Sequence, residues 1–544
     1  MTGGWTAKEF CEAGFQTLVL ERGRDVQHGS DYPTATTPQW QFKYRNTIDP
    51  ETAKNNPIVN RCYAFREATK HFFVKDQEHP YVQKKPFDWI RGYQVGGKSL
   101  TWARKVQRWA KFDFESNAED GHGIDWPIRY EDLAPWYSYV EKFAGISGNK
   151  DGLPQVPDGE FLPPMQMNAM DRHIVNNVSQ KFPNRDVIIG RTANLSQAHN
   201  SRVCMYRNLC ERGCPYGGYF SANSTTIPAA KDTGNMTLRP HSVVHSIIYD
   251  EEKGKATGVR VIDANTKEMV EYYADVIFLN ASTINTNLIL KNSTSNRFPD
   301  GLGNDSGVLG HYMLFHNYRI GASGVHDDLR NVYYSGRRPT DLYIPRFRNF
   351  GSDRQNSFLR GYAFSCLTRR EVGNPDAEKS PVGKEFKQQI TELGNWTVGM
   401  RAMGEVLPHY DNKVSLSEDK KDQFGIPQIE VDMDYSENDE KMCEDMKTTA
   451  AEMLEAAGFR DINVNDTKQA PGLDIHEMGG CRMGRDPNNS MLNGYNQMHK
   501  VQNVFVTDGA CMTSAACQNP SLTFMAFAAR AANYAIDEMK KGNL

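Results

Sequence analysis

The first twenty-three residues constrain this chain more than any other stretch. Gly3-Gly4 precede a helical run over Trp5–Ala13, Gly14 stops it, Thr17–Leu20 reads as a short buried strand, and Glu21-Arg22-Gly23 follows. Helix, glycine stop, apolar strand and acidic residue make the second half of a βαβ unit. In a dinucleotide fold G-x-G-x-x-G turns from the first strand into the first helix, whose N-terminus faces a pyrophosphate. An acid about 20 positions later takes the ribose hydroxyls. Gly3 stands at the third glycine with Gly4 beside it, and Glu21 stands at the acid. The spacing therefore predicts upstream residues that end in G-x-G and carry the first strand. As written, the chain would bind such a nucleotide poorly.

Later segments repeat α/β texture. Strands are expected within 237–249 and 256–279, then a helix through Ile284–Lys291, the strand Val504–Val506, and a long helix from about Pro520 to Met539. Between 311 and 470 the pattern turns polar and turn-rich, with strands such as Lys413–Leu416 and Gln428–Met433. The expected fold class is α/β: a Rossmann-like, doubly wound nucleotide domain, with an inserted α+β substrate domain built on an antiparallel sheet. The expected division is 1–310, 311–470 and 471–544, the outer two forming one domain, with 199–218 a cysteine-bearing segment of the first.

Charge excludes one partner class. Lys+Arg number 63 against Asp+Glu 67, without the basic excess that marks nucleic-acid binders. No run approaches the roughly 20 apolar residues that span a bilayer. Met1–Lys8 has neither the basic nor the apolar region of a secretory signal. Seven of the ten cysteines (Cys11, Cys62, Cys366, Cys443, Cys481, Cys511, Cys517) are scattered and read as small core residues. Cys204, Cys210 and Cys214 fall together, spaced x5 and x3. Buried thiols, a zinc site completed by His199 and an iron–sulfur centre are the three readings open to them.

Three further segments stand in order. Gly96-Gly97-Lys98-Ser99 through Thr101-Trp102 is a loop of low bulk; His476–Gly484 sets a histidine before a glycine-rich turn; Asp508-Gly509 leads to Asn519-Pro520 and Thr523. Together with Gly3, Glu21 and the strand Ala274–Ser282, this set resembles the glucose–methanol–choline (GMC) flavoprotein oxidoreductases over nearly the full length. The resemblance is closest to the sugar-oxidising branch of pyranose 2-oxidase and the catalytic subunit of bacterial glucoside 3-dehydrogenase. It implies an FAD domain and a six-stranded sheet over the substrate side. Glu21 would bind the adenosine ribose, with Arg22 beside it, and Val244 would meet the adenine through its backbone. Gly96, Gly97 and Ser99 would line the pyrophosphate and flavin. Asp508, Gly509, Pro520 and Thr523 would lie near the isoalloxazine, at a helix N-terminus that favours negative charge. Thr101 stands where the oxidase carries a flavin-linked histidine, so FAD is expected to be non-covalent.

Oxidation of a secondary alcohol removes a hydroxyl proton and a carbinol hydride. A neutral imidazole suits the proton, which makes His476 the candidate base, and Asn519 can donate to the developing alkoxide. The x5 and x3 spacing also resembles the cluster-bearing subunits of bacterial flavoprotein glucose and fructose dehydrogenases, which implies a [3Fe–4S] cluster on Cys204, Cys210 and Cys214. Such a cluster accepts one electron at a time, so a cytochrome c or dye would be the acceptor. Relatives of this kind are exported folded with a small partner subunit that bears a twin-arginine signal, which implies a periplasmic site; cytoplasmic residence is the alternative. The substrate expected is a sugar or glucoside hydroxyl oxidised to a keto group. Oxidation at carbon 1 or 2, or a non-catalytic flavin-fold subunit, are the competing readings. Glu405 and Tyr333-Tyr334 are expected to line the substrate site.

Overall fold

The computed structural model describes residues 1–330, 332, 340–372 and 382–544; Tyr333 and Tyr334 lie outside them. The N-terminal helix spans Thr2–Glu12 and buries Trp5, Ala7, Phe10 and Cys11. It packs between the helices Thr226–Asp232 and Ser521–Lys541. Trp5 is fully buried, edge-on to Phe143 at 5.0 Å between ring centres. The strand Thr17–Leu20 pairs in parallel with Met236–Arg239, and Ile277–Leu279 pairs in parallel with Val504–Val506. Parallel strands covered by helices are the expected texture of the nucleotide domain. The two pairs are not hydrogen-bonded to each other. A three-stranded antiparallel sheet, Ser242–Asp250, Lys255–Asp263 and Met269–Tyr273, flanks them.

The second layer is one seven-stranded sheet. Six strands run in the order Arg460–Asp466, Ile320–His326, Leu393–Glu405, Tyr362–Val372, Leu342–Ile344 and Ile188–Ile189; His316–Asn317 adds to Leu393–Glu405 as the seventh. The resemblance implied six strands; the two-residue His316–Asn317 makes a seventh. The hairpin Lys413–Lys421 and Pro427–Asp432 is not part of this sheet. It takes Val82–Gln83 as its third strand instead, because its alternating face is covered from the nucleotide side. The helix Glu437–Ala456, capped by Ser436 and Asp439, lays Met442, Met446, Ala450 and Met453 on the large sheet. Each layer has its own apolar core, one around Trp109, Trp126 and Phe527 and the other around Trp396, Phe364 and Met446.

Buried ions connect the layers. Arg360, 1% exposed, donates to Glu405 at 2.6 Å and pairs with Asp120 at 2.5 Å. It also reaches Ser116 and Asn117, while Arg346 lies 3.5 Å from the second Glu405 oxygen. Glu405 is therefore held in an ion cluster, in place of the free substrate-lining role expected of it. Asp113 stands beside the cluster, accepting from Ala110 N and Gln518. Burial first, and the Glu405 charge second, push its carboxyl up to about 7. With the folded pKa above the unfolded value, the native state binds the extra proton between about pH 4 and pH 7, so this group's contribution to stability falls as pH rises through that window. Asp113→Asn is expected to raise the melting temperature above pH 7 and to flatten the decline between pH 4 and 7. A melting curve at pH 8 no higher than wild type would contradict this.

Candidate active site

The histidine-bearing turn is positioned by backbone pairing. Gly479 N, Cys481 N and Met483 N donate to the carbonyls of Gly509, Ala510 and Cys511, so the segments 476–484 and 508–511 lie side by side. On the other edge an antiparallel bridge joins Leu314 and Met478. Continued in register, it sets His316 opposite His476, whose Nδ1 atoms are 2.9 Å apart. Asn519, ahead of the helix Ser521–Lys541, brings its Nδ2 to 3.4 Å from His476 Nε2. The two proposed reacting side chains therefore meet. His316, behind them, was missed: a lone histidine in Phe315-His316-Asn317 carries no local signal.

Electrostatics follow from burial. The pKa of His476 is driven well below the ordinary histidine value, chiefly by desolvation, with His316, Lys98 and Lys105 adding in the same direction. His316 is fully buried and is pushed down to about 4 by desolvation. Asp474 accepts from His316 N at 3.0 Å, and burial raises it to about 7. Lys98 pairs with Glu477 at 3.1 Å and Lys105 with Asp341 at 2.7 Å. Both imidazoles are consequently neutral around pH 7.

The remaining sequence candidates have the following local surroundings. Gly96 has φ +93°, and a Cβ there would stand 1.7 Å from Asn223 Oδ1. A Cβ at Gly4 would stand 2.4 Å from Thr226 Oγ1. Both of those oxygens are buried without a hydrogen-bond partner. Glycine is thus required at both places, and unsatisfied polar groups face them, as a bound nucleotide would need. Ser99 closes its own loop, donating to Gly96 O and accepting from Ala222 N, beside Gly97. Glu21 holds Gly23 N at 2.8 Å, and Ser242 N donates to Glu21 O, which brings the strand of Val244 alongside. Glu21 and Asp508 both lie within electrostatic reach of the amino end of the first helix; burial raises both carboxyls, Asp508 to about 6. Arg22 is packed over Tyr93 and bonded to Asp422. Gly509 and Pro520 are buried at the near end. Thr523 turns its hydroxyl to Tyr137 at 2.8 Å, into the core. Gly4 and Gly96 thus face unsatisfied polar groups, whereas Arg22 and Thr523 are engaged elsewhere.

The three clustered cysteines border one small cavity of about 20 Å³, shared with Asn194, Tyr206 and Tyr219. Asn194 Nδ2 approaches Cys210 Sγ at 3.9 Å, and Gly218 N approaches Cys214 Sγ at 3.3 Å. Tyr219 bridges this pocket to the Gly96 loop, donating to Leu100 O at 2.6 Å and Cys210 O at 3.0 Å. His199 turns its Nε2 to Phe143 O, away from the thiols. Among the described residues, the group of three ligand-type side chains whose ligand atoms all lie within 4.8 Å is His316, Asp474 and His476. The seven scattered cysteines are all buried.

Comparison with known proteins agrees with this architecture. Two family descriptions, both "GMC oxidoreductase", match residues 46–316 and 408–528. The 2-methyl-1,2-propanediol dehydrogenase of Mycolicibacterium austroafricanum is 31% identical over 98% of this chain and 93% of its own length. The fructose dehydrogenase large subunit of Gluconobacter japonicus is 28% identical over 99% and 97%. The crystal structure of pyridoxine 4-oxidase from Mesorbium loti superposes with a TM-score of 0.56 at 14% identity, covering 98% of this chain and 97% of that one, which bears on the fold alone. No helix among the described residues is long and apolar enough to cross a membrane. The chain belongs to the GMC oxidoreductase family, FAD-dependent enzymes that oxidise the CH–OH groups of alcohols and sugars.

Proposed function

We propose that this enzyme oxidises a ring hydroxyl of a sugar or glucoside to a keto group, with His476 as base and Asn519 as the donor to the alkoxide oxygen. The observation that carries this reading is the 3.4 Å approach of Asn519 Nδ2 to His476 Nε2. A hydroxyl seated between these atoms gives its proton to the imidazole, while the amide N–H offsets charge on oxygen as it builds. Lys98 and Lys105 on the same side disfavour a second positive charge, so the imidazole is kept neutral until substrate supplies the proton. Bound FAD supplies the acceptor for the carbinol hydrogen and its electron pair. A relative that acts on a small diol, 31% identical over 98% of this chain, favours a second reading in which the substrate is a vicinal diol. Anaerobic mixing with glucosides, free sugars and 1,2-diols, followed by product analysis, separates the two. Flavin left unbleached by all three classes would refute both.

The cysteine pocket supports a [3Fe–4S] cluster on Cys204, Cys210 and Cys214. Three thiols lining one pocket suit a polynuclear centre, and the N–H groups near Cys210 and Cys214 suit charged sulfur. A cluster there supplies a one-electron exit toward a cytochrome c or dye. The resemblance to a protein named as a large subunit supports a small partner subunit with a twin-arginine signal and a periplasmic site. Cys210→Ser is expected to abolish most iron binding and the sharp EPR signal of an oxidised three-iron centre. Transfer to a one-electron acceptor should then fall at least about tenfold, with flavin reduction unchanged. Wild-type protein isolated without iron would remove the cluster from this reading.

A further inference from the structure

His316 takes no part in the steps above, yet it is the one side chain that reaches the far nitrogen of His476. We propose that His316 is a positioning residue that fixes the tautomer of His476: it holds the proton on Nδ1 and leaves the Nε2 lone pair facing Asn519 and the substrate. The proposal rests on the reading of His476 as the base.

The argument starts from two carbonyl oxygens. His316 Nε2 lies 3.0 Å from Ala516 O and 3.3 Å from Ala515 O. Carbonyl oxygens only accept, so Nε2 carries the hydrogen. A neutral imidazole has one N–H, and neutrality here follows from complete burial. His316 Nδ1 is therefore a lone pair. It faces His476 Nδ1 at 2.9 Å, a distance that requires a donor, and the donor is His476 Nδ1–H. His476 Nε2 is thereby left unprotonated. The other side is compatible, because the Asn519 amide nitrogen stands 3.4 Å from Nε2 and can donate to its lone pair.

The groups that face the pair leave this assignment intact. Asp474 is occupied by His316 N and Gly472 N. Glu477 is tied to Lys98, and Lys105 to Asp341 and Ser365. When His476 accepts a proton at Nε2, the bond to His316 becomes charge-assisted and strengthens. The proton cannot pass beyond His316, since Ala515 O and Ala516 O are not bases. It is held at the reacting end until product leaves.

The register explains why the contact exists. The bridge Leu314–Met478 and the pairing of His316 with Glu405 set residue 316 between two backbone neighbours, and the contacts of its Nε2 with Ala515 O and Ala516 O turn the ring toward His476. Without an acceptor at Nδ1, the buried His476 ring would revert toward the Nε2–H form. That form sets two donors face to face with Asn519.

The test uses the holoenzyme carrying His316→Leu or His316→Gln. Glutamine can accept through Oε1 from His476 and donate through Nε2 to Ala516 O, reproducing both bonds; leucine reproduces neither. His316→Leu is expected to slow flavin reduction about a hundredfold at saturating substrate, with less than about a threefold change in substrate affinity, and His316→Gln to recover to within about fivefold of wild type. The second readout is independent of turnover. In protein labelled with ¹⁵N-histidine, the His476 resonances are identified by their loss in His476→Ala. They should show a protonated Nδ1 and a bare Nε2 in wild type and His316→Gln, and the reverse or an average in His316→Leu. A wild-type His476 protonated at Nε2 would overturn the proposal, even if His316→Leu failed to fold. So would a His316→Leu enzyme as fast as wild type while His476→Ala is slow. If His476→Ala itself reduces flavin within tenfold of wild type, the base assignment falls instead, and the nitrogen shifts still decide the tautomer.

Discussion

His476→Ala is expected to slow flavin reduction by substrate about a thousandfold, with FAD content and melting temperature close to wild type. The size follows from general-base catalysis, since a water molecule in the vacated space takes the proton far less readily than an imidazole held neutral. The small structural effect follows from position. His476 lies where two backbone ladders, to Leu314 and to Gly509–Cys511, are already made without its side chain. The wild-type pH profile should carry the same signature. Burial and the neighbouring His316, Lys98 and Lys105 hold His476 well below the ordinary histidine value. Its basic form is thus present from alkaline pH down past about 6.5, and the acid limb of the rate should begin below that point. Stopped-flow reduction between pH 5 and 9 measures both. A rate that halves near pH 6.5, or an alanine variant within tenfold of wild type, would rule out the role.

Glu405→Leu is expected to destabilise the protein by about 3–5 kcal/mol, the usual cost of stranding one member of a buried ion pair. Arg360 is 1% exposed and Glu405 fully buried, so neither charge can turn to water when the other is removed. Asp120 would still hold one edge of Arg360, but Arg346 Nη1, which has no hydrogen-bond partner even now, would lose its nearest carboxylate. Arg360 reaches Ser116, Asn117 and Asp120 on one layer and Glu405 on the other, so the loss falls where the layers join. Denaturant unfolding of the variant measures it, and a change under about 1 kcal/mol would show the cluster to be idle.

Much of the fold was legible because its signals are local. A helix stopped by Gly14, an apolar strand and Glu21 lie within one βαβ half-unit, and each is read from periodicity and spacing within a few residues. The structure places the glycine stop and the strand as expected, but the helix begins at Thr2, so Gly3 and Gly4 lie in its first turn instead of ahead of it. Buried parallel strands such as Ile277–Leu279 and Val504–Val506 were equally visible as short apolar runs. What periodicity could not supply was partner choice. Lys413–Lys421 and Pro427–Asp432 alternate like strands of any antiparallel sheet, yet their third neighbour is Val82–Gln83, some 340 residues distant by number. Glu405 shows the same limit: a lone carboxylate near a proposed site reads as a ligand group until Arg360 and Arg346 close on it.

The sequence by itself determined the family resemblance, the candidate nucleotide-loop residues, and the pairing of His476 with Asn519 as candidates. Each depends on residue types at short, ordered spacings, where chain geometry leaves few alternatives. Only the tertiary structure decided what stands behind His476. The contact to His316 joins residues 160 positions apart, and it exists because two antiparallel neighbours hold His316 in register opposite His476 and Glu405. A proton's place on one nitrogen rather than the other depends on distances of a few tenths of an ångström. Those distances are set by packing and backbone register, which no local pattern of residues encodes.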